Sequence, residues 1–153
     1  MKKLLTILLL SSMLFSTLVL VSCSKNDSKN LTSEEIANKL KDEKLPISNI
    51  IVYTEETDKN KLLGRPNQYI SKVNFADTRI EQSNIDKPKG GSIEIFNNVT
   101  DLNTRKSYIE SISKYMPMLT EYMLVNGNYL LRLNKELTNA QVNEYKEVFI
   151  KIK

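Results

Sequence analysis

The sequence predicts an α+β fold: a mainly antiparallel sheet of about five strands with three helices, in a single domain that follows an export signal. Three observations point to it. Helix-start signatures stand at Thr32 and Thr138, a helical periodicity lies between them, and five short β-rich segments fill the intervals. Without a regular strand–helix–strand alternation, antiparallel pairing is expected, with the helices on one face of the sheet. At 41% hydrophobic and 26% charged residues, the chain is neither disordered nor wholly membrane-embedded, and 153 residues leave room for one domain.

The first 30 residues stand apart from the rest. Lys2 and Lys3 precede Leu4 to Val21, a run of 18 residues without a charge. This is the basic and then apolar pattern of an export signal, with the lysines on the cytoplasmic side. A retained membrane helix is the rival, because 18 residues approach the roughly 20 that a helix needs to cross a bilayer. The run ends in Leu20-Val21-Ser22-Cys23, which resembles the lipobox of bacterial lipoproteins. That resemblance covers residues 1–23. It implies that residues 1–22 are removed, that the Cys23 sulfur carries a diacylglyceryl group, and that the mature chain is lipid-anchored on the extracytoplasmic face of the cell membrane.

Cys23 is the only cysteine, so no intramolecular disulfide competes for it. Each buried methylene of a lipid contributes about 0.8 kcal/mol, and two chains anchor stably where one does not. Residues 24–30 contain no apolar side chain and form, with Cys23, a flexible tether (residues 23–30) of roughly 15 Å. The folded domain is expected over 31–153. Removing the signal lowers the basic count from 22 to 20 against 18 acids. So even a balance argues against a nucleic-acid partner.

Within the domain, Thr32 and Glu35 have capping-box spacing and Leu31 and Ile36 that of a hydrophobic staple. The helix should run to about Glu43, with Ile36, Ala37 and Leu40 as its apolar stripe and Pro46 preventing continuation. Strands are expected over 47–53, 69–75 and 92–96. Leu102, Arg105, Ile109, Ile112 and Met116 then recur at three- and four-residue steps, predicting a helix over 101–115 that stops before Pro117. Strands over 120–125 and 128–133 flank Asn126-Gly127, the favoured pair for a type I′ turn. That turn places Val125 opposite Asn128, Tyr122 opposite Leu131, and Glu121 opposite Arg132 as a cross-strand ion pair. Leu137, Thr138, Gln141 and Val142 repeat the staple and box, and Val142, Tyr145, Val148, Phe149 and Ile152 form the stripe of a C-terminal helix.

The stretch from Tyr53 to Asp77 is the most distinctive. It contains Thr54-Glu55-Glu56-Thr57-Asp58, then Leu62-Leu63-Gly64-Arg65-Pro66, then Tyr69, Ser71, Lys72, Phe75 and Asp77. In this it resembles a group of small lipoproteins of Gram-positive bacteria, with weaker likeness around 90–96 and 130–133. The resemblance brings no activity, substrate or partner with it. Physically, Leu62 and Leu63 tuck a long loop onto the core, Gly64 permits a left-handed turn and Pro66 fixes the exit. Lys72 and Asn74 share a strand face, with Asp77 just beyond, so Asp58, Arg65, Lys72, Asn74 and Asp77 are candidates to converge on a polar ligand. The alternative is an internal clasp, in which Arg65 bridges to Asp58 or Asp77 and merely closes the loop.

Other chemistry finds little support. The chain has no histidine, which removes the commonest general base and transition-metal ligand. With Cys23 lipidated there is no thiolate, and no nucleophile motif is visible. Glu55, Glu56, Asp58 and Asn60 lack the glycine and terminal glutamate of a calcium loop. No metal and no cofactor are therefore expected. The function expected is a non-enzymatic binding or interaction module held at the membrane, with a protein or cell-wall partner. The alternative is a carboxylate-dependent hydrolase acting on wall glycan or peptide.

Overall fold

The computed structural model describes residues 31–153. The expected export signal, Cys23 and the expected spacer lie outside the described residues. The chain forms α1 (Ser33–Asp42), β1 (Ile47–Val52), β2 (Ser71–Asp77), β3 (Gly90–Ile95), α2 (Val99–Tyr115), a 3-10 turn (Pro117–Leu119), β4 (Glu121–Asn126), β5 (Tyr129–Asn134) and α3 (Asn139–Phe149). Both helix-start signatures operate as expected. The Thr32 hydroxyl accepts from the Glu35 N–H while the Glu35 carboxylate accepts from the Thr32 N–H, and Thr138 and Gln141 repeat the exchange. Each box satisfies orphan donors in the first helical turn.

The five strands lie in the order β1-β2-β3-β5-β4, and every neighbouring pair is antiparallel. One large core fills the face covered by α1 and α3: Val73, Phe75, Ile93, Ile95, Leu131 and Leu133 of the sheet meet Ile36, Leu40, Val142, Tyr145 and Phe149. The expectation that all helices share this face is corrected. Leu102 and Ile109 of α2 pack on the opposite face, with Leu63 and Tyr69 of the loop, Phe96 and Leu130. Burying these six side chains contributes on the order of 10 kcal/mol before the entropy of ordering the loop is charged.

A second correction concerns the hairpin register. Observed pairs include Asn126 with Tyr129, Val125 with Leu130 and Met123 with Arg132, two residues away from the expected pairing. The turn residues are Gly127 and Asn128, and only Gly127 has positive φ, at 57°. Glycine at the first central position is the type II′ preference, and it outcompetes the I′ turn that Asn126-Gly127 would make. Because a shift of two preserves the face, Glu121 and Arg132 still meet, diagonally: Arg132 Nε donates to Glu121 Oε2 at 2.7 Å and Nη2 to Oε1 at 2.9 Å.

Candidate functional site

Alternation along the strands puts two rows of side chains on the face covered by α2. One row runs Ile51, Asn74, Ser92, Arg132, Met123; the other runs Lys72, Glu94, Leu130, Val125. A half-covered antiparallel sheet would turn such polar residues to water. Here α2 and the loop after β1 cover part of the face and leave a groove over the rest.

The loop is held by one buried carboxylate. Asp58 is 0% exposed. Its Oδ2 accepts from the backbone N–H groups of Leu62 (3.0 Å) and Leu63 (3.2 Å) and from the Tyr69 hydroxyl (2.7 Å), and its Oδ1 accepts from Lys72 Nζ at 2.9 Å. The Lys72 ammonium also lies 4.9 Å from the Tyr53 ring centroid and 5.2 Å from that of Tyr69. Burial alone would raise the Asp58 pKa, but the bonds from Lys72, Tyr69, Leu62 and Leu63 outweigh it and hold the carboxyl well below the usual carboxylate range. Burial and then the bond to Asp58 push the Tyr69 phenol upward. Gly64, at φ +77°, makes the turn that brings its own N–H to the Tyr69 carbonyl, and a Cβ there would sit 2.3 Å from Glu55 Oε1.

A second buried carboxylate, Glu94, is also 0% exposed. Arg105 of α2 donates to it through Nε (3.1 Å) and Nη2 (3.2 Å), and Arg132 of β5 through Nη1 (2.8 Å). Arg132 in turn grips Glu121. Against the lowering effect of burial, Glu94 and Glu121 drive the Arg132 pKa up. The two clusters set Asp58, Glu94 and Glu121 against Lys72, Arg105 and Arg132, so the covered face is charge-balanced.

The groove has two neighbouring compartments of about 490 and 640 Å³, both lined by Asn60, Leu119, Glu121 and Arg132. The first is polar and the second is walled by Tyr108, Ile109 and Ile112 of α2. In the floor of the polar compartment, Asn74 and Ser92 stand opposite each other on β2 and β3. Asn74 Nδ2 donates to the Tyr53 hydroxyl at 3.3 Å, whereas Asn74 Oδ1 and Ser92 Oγ are buried without a partner. Such groups are uncommon in folded proteins and ask for an explanation. The rim carries the exposed Lys59, Lys87 and Lys135, which among the described residues make no ion pair.

Of the five residues expected to converge, the fold brings Asp58 and Lys72 into contact and places Asn74 beside them. It separates the other two. Arg65 is exposed on the loop, outside both compartments, and among the described residues its guanidinium has no partner. Asp77 takes part in the opposite core, where it accepts from Arg79 (Nε 3.0 Å, Nη2 2.8 Å) and from the Tyr145 hydroxyl at 2.8 Å. The register explains this: Asp77 is an odd-numbered β2 residue, like Val73 and Phe75. A loop clasp exists, but its cation is Lys72 rather than Arg65. Asp58 is committed to that clasp, and among the described residues no cluster of three or more His, Cys, Asp or Glu could hold a metal ion.

Sequence reasoning passed over Tyr53, Tyr69, Ser92, Glu94 and Arg105. The usable signals were Glu94 between two isoleucines of a strand, and Arg105 inside an otherwise apolar helical stripe. A charge in a core position is rarely tolerated without its opposite. Comparison of the chain with protein-family models, curated proteins and solved structures gave no match.

Proposed function

We propose that this chain is a lipoprotein, held to the outer face of the cell membrane through Cys23, whose groove binds an extended polar ligand of the cell envelope. The observation that carries the binding role is the open polar compartment with two unpartnered buried atoms, Asn74 Oδ1 and Ser92 Oγ, in its floor. Two neighbouring open compartments with common lining residues favour a chain lying along the groove over a small solute enclosed in a cavity.

The charge clusters support the same role. Buried ion pairs are a poor route to stability, since apolar residues of similar volume often serve as well. Their presence beneath an open groove fits a floor that must stay polar and rigid. Catalysis by carboxylates is less well served. A hydrolase of that kind needs one carboxyl poised as an acid near a second carboxylate. Asp58, Glu94 and Glu121 are each tied to a cation.

Orientation adds to this. The chain enters the domain at Leu31, whose N–H donates to the Tyr129 hydroxyl, and Ser33 bonds Ser71. Ser71 and Tyr129 begin their strands at one end of the sheet. The polar compartment reaches the other end, past Gly90, Thr120 and Asn134, about 20 Å away. The flexible tether expected before Leu31 leaves that end free to face away from the bilayer.

Mass spectrometry of the chain isolated from its membrane tests the anchor, with a diacylated Cys23 as the new N-terminus as the expected result. Co-sedimentation with isolated envelope material tests the groove. An unmodified thiol, or a retained residue 1–22 segment, overturns the anchor; absence of co-sedimentation overturns the binding role.

A further inference from the structure

Resting on that reading of the groove, we infer that its ligand is a polyhydroxylated anion: a chain of sugar or polyol units bearing carboxylate or phosphodiester groups. Floor and rim ask for different chemistry. Asn74 Oδ1 can only accept, and Ser92 Oγ can accept two hydrogen bonds and donate one. Both atoms are buried, on part-buried residues that face each other across β2 and β3, so a side-chain rotation brings them to a ligand. Directly opposed side chains on neighbouring strands stand about 5 Å apart. Two acceptors carried on directly opposed residues can take the adjacent hydroxyl donors of one saccharide or polyol unit. The Tyr53 hydroxyl, which accepts from Asn74, keeps its own proton to donate to a ligand oxygen.

The floor carries no net charge to offer, because Asp58 neutralises Lys72, and Glu94 and Glu121 together neutralise Arg105 and Arg132. The rim does. Lys59, Lys87 and Lys135 are unpaired among the described residues, while the acids on the same compartment are Asp86, the paired Glu121, and Glu136, which lies 3.5 Å from Lys89. Mobile exposed ammonium groups above a neutral floor attract anions without fixing one geometry. A neutral glycan would leave the lysines idle, and an acidic peptide would offer the floor few hydroxyl donors.

The test uses the full chain purified from its membrane in detergent, titrated with four polymers: polygalacturonate, poly(ribitol phosphate), dextran and polyglutamate. Polygalacturonate or poly(ribitol phosphate) should bind about tenfold more tightly than dextran and polyglutamate, as loss of a hydrogen-bonded or charged contact implies. Whichever of the two binds better names the anionic group. Binding should weaken as salt is raised. The double substitution Lys87→Gln and Lys135→Gln should flatten that salt dependence, and Ser92→Ala should weaken binding about tenfold without lowering the thermal midpoint. Polyglutamate binding as tightly as the hydroxylated anions would reduce recognition to charge and overturn the ligand class. Dextran binding as tightly would overturn the role of the rim. If no polymer binds but these variants still lose co-sedimentation with envelope material, the class is wrong and the groove stands. If co-sedimentation is unchanged in the variants, both are wrong.

Discussion

Asp58→Asn removes one charge from the centre of the loop clasp and leaves the shape almost unchanged. The amide oxygen can still accept from Leu62, Leu63 and Tyr69, but the amide nitrogen must then face Lys72 Nζ, a donor against a donor. Lys72 is 6% exposed, so its ammonium is left buried without a counter-charge. Breaking one partner out of a buried pair costs about 3–5 kcal/mol. For a domain of this size that amounts to a fall in thermal midpoint of roughly 10–20 °C. Urea denaturation should report the loss directly, and hydrogen exchange should localise it, with the Leu62 and Leu63 amides losing protection before those of β2 and β3. Adding Lys72→Met to Asp58→Asn should recover part of the stability, because the stranded charge is gone. A loss below about 1 kcal/mol, or no recovery in the double variant, would refute the account of the clasp.

Further consequences can be measured together. Asp58 and Asp77 both hold carboxyl pKa values below the ordinary one, so their contribution is complete above about pH 4 and is lost as pH falls through the folded values; a Tm that drops on acidification below about pH 4, with a shallower drop in Asp77→Asn, checks the sign. Glu94→Gln should destabilise by about 3 kcal/mol or more by stranding Arg105, whereas Glu94→Leu with Arg105→Met should cost far less in the same urea assay. Gly64→Ala and Gly127→Ala both place a side chain at positive φ, but a Cβ at Gly127 meets nothing within 4 Å. The Gly127 change should therefore cost about 1–2 kcal/mol from conformation alone, and Gly64→Ala more, with part of the excess relieved by Glu55→Ala.

Much of the fold was legible because it rests on short-range physics. The two capping boxes, the stop at Pro117 and the five strand segments each follow from residues within a few positions of one another. The hairpin shows the limit: Asn126-Gly127 and Gly127-Asn128 are both competent turns, and the chain settles the matter through contacts that local propensity does not contain. Asn126 is one of them, donating to the Phe149 and Ile152 carbonyls at the end of α3. Placement of α2 was harder still. Its stripe includes Arg105 and ends in exposed Met116, so periodicity alone does not say which sheet face it serves.

The candidate site was half legible for the same reason. Strand alternation puts Lys72 and Asn74 on one face, where the structure also has them. The same alternation assigns Asp77 to the other face, away from Lys72 and Asn74. Asp58 was singled out as one of several loop acids, but its role as an anchor depends on Tyr69 and Lys72, 11 and 14 residues away. Glu94 meets Arg132 across 38 residues of chain, beyond any spacing rule.

Hydrogen exchange on the full chain bound to envelope material tests the central claim most directly. Added protection is expected in 72–74, 90–94 and 117–121, which border the polar compartment, and not along α1 or α3. Protection confined to the α1 and α3 face, or none anywhere despite binding, would contradict it.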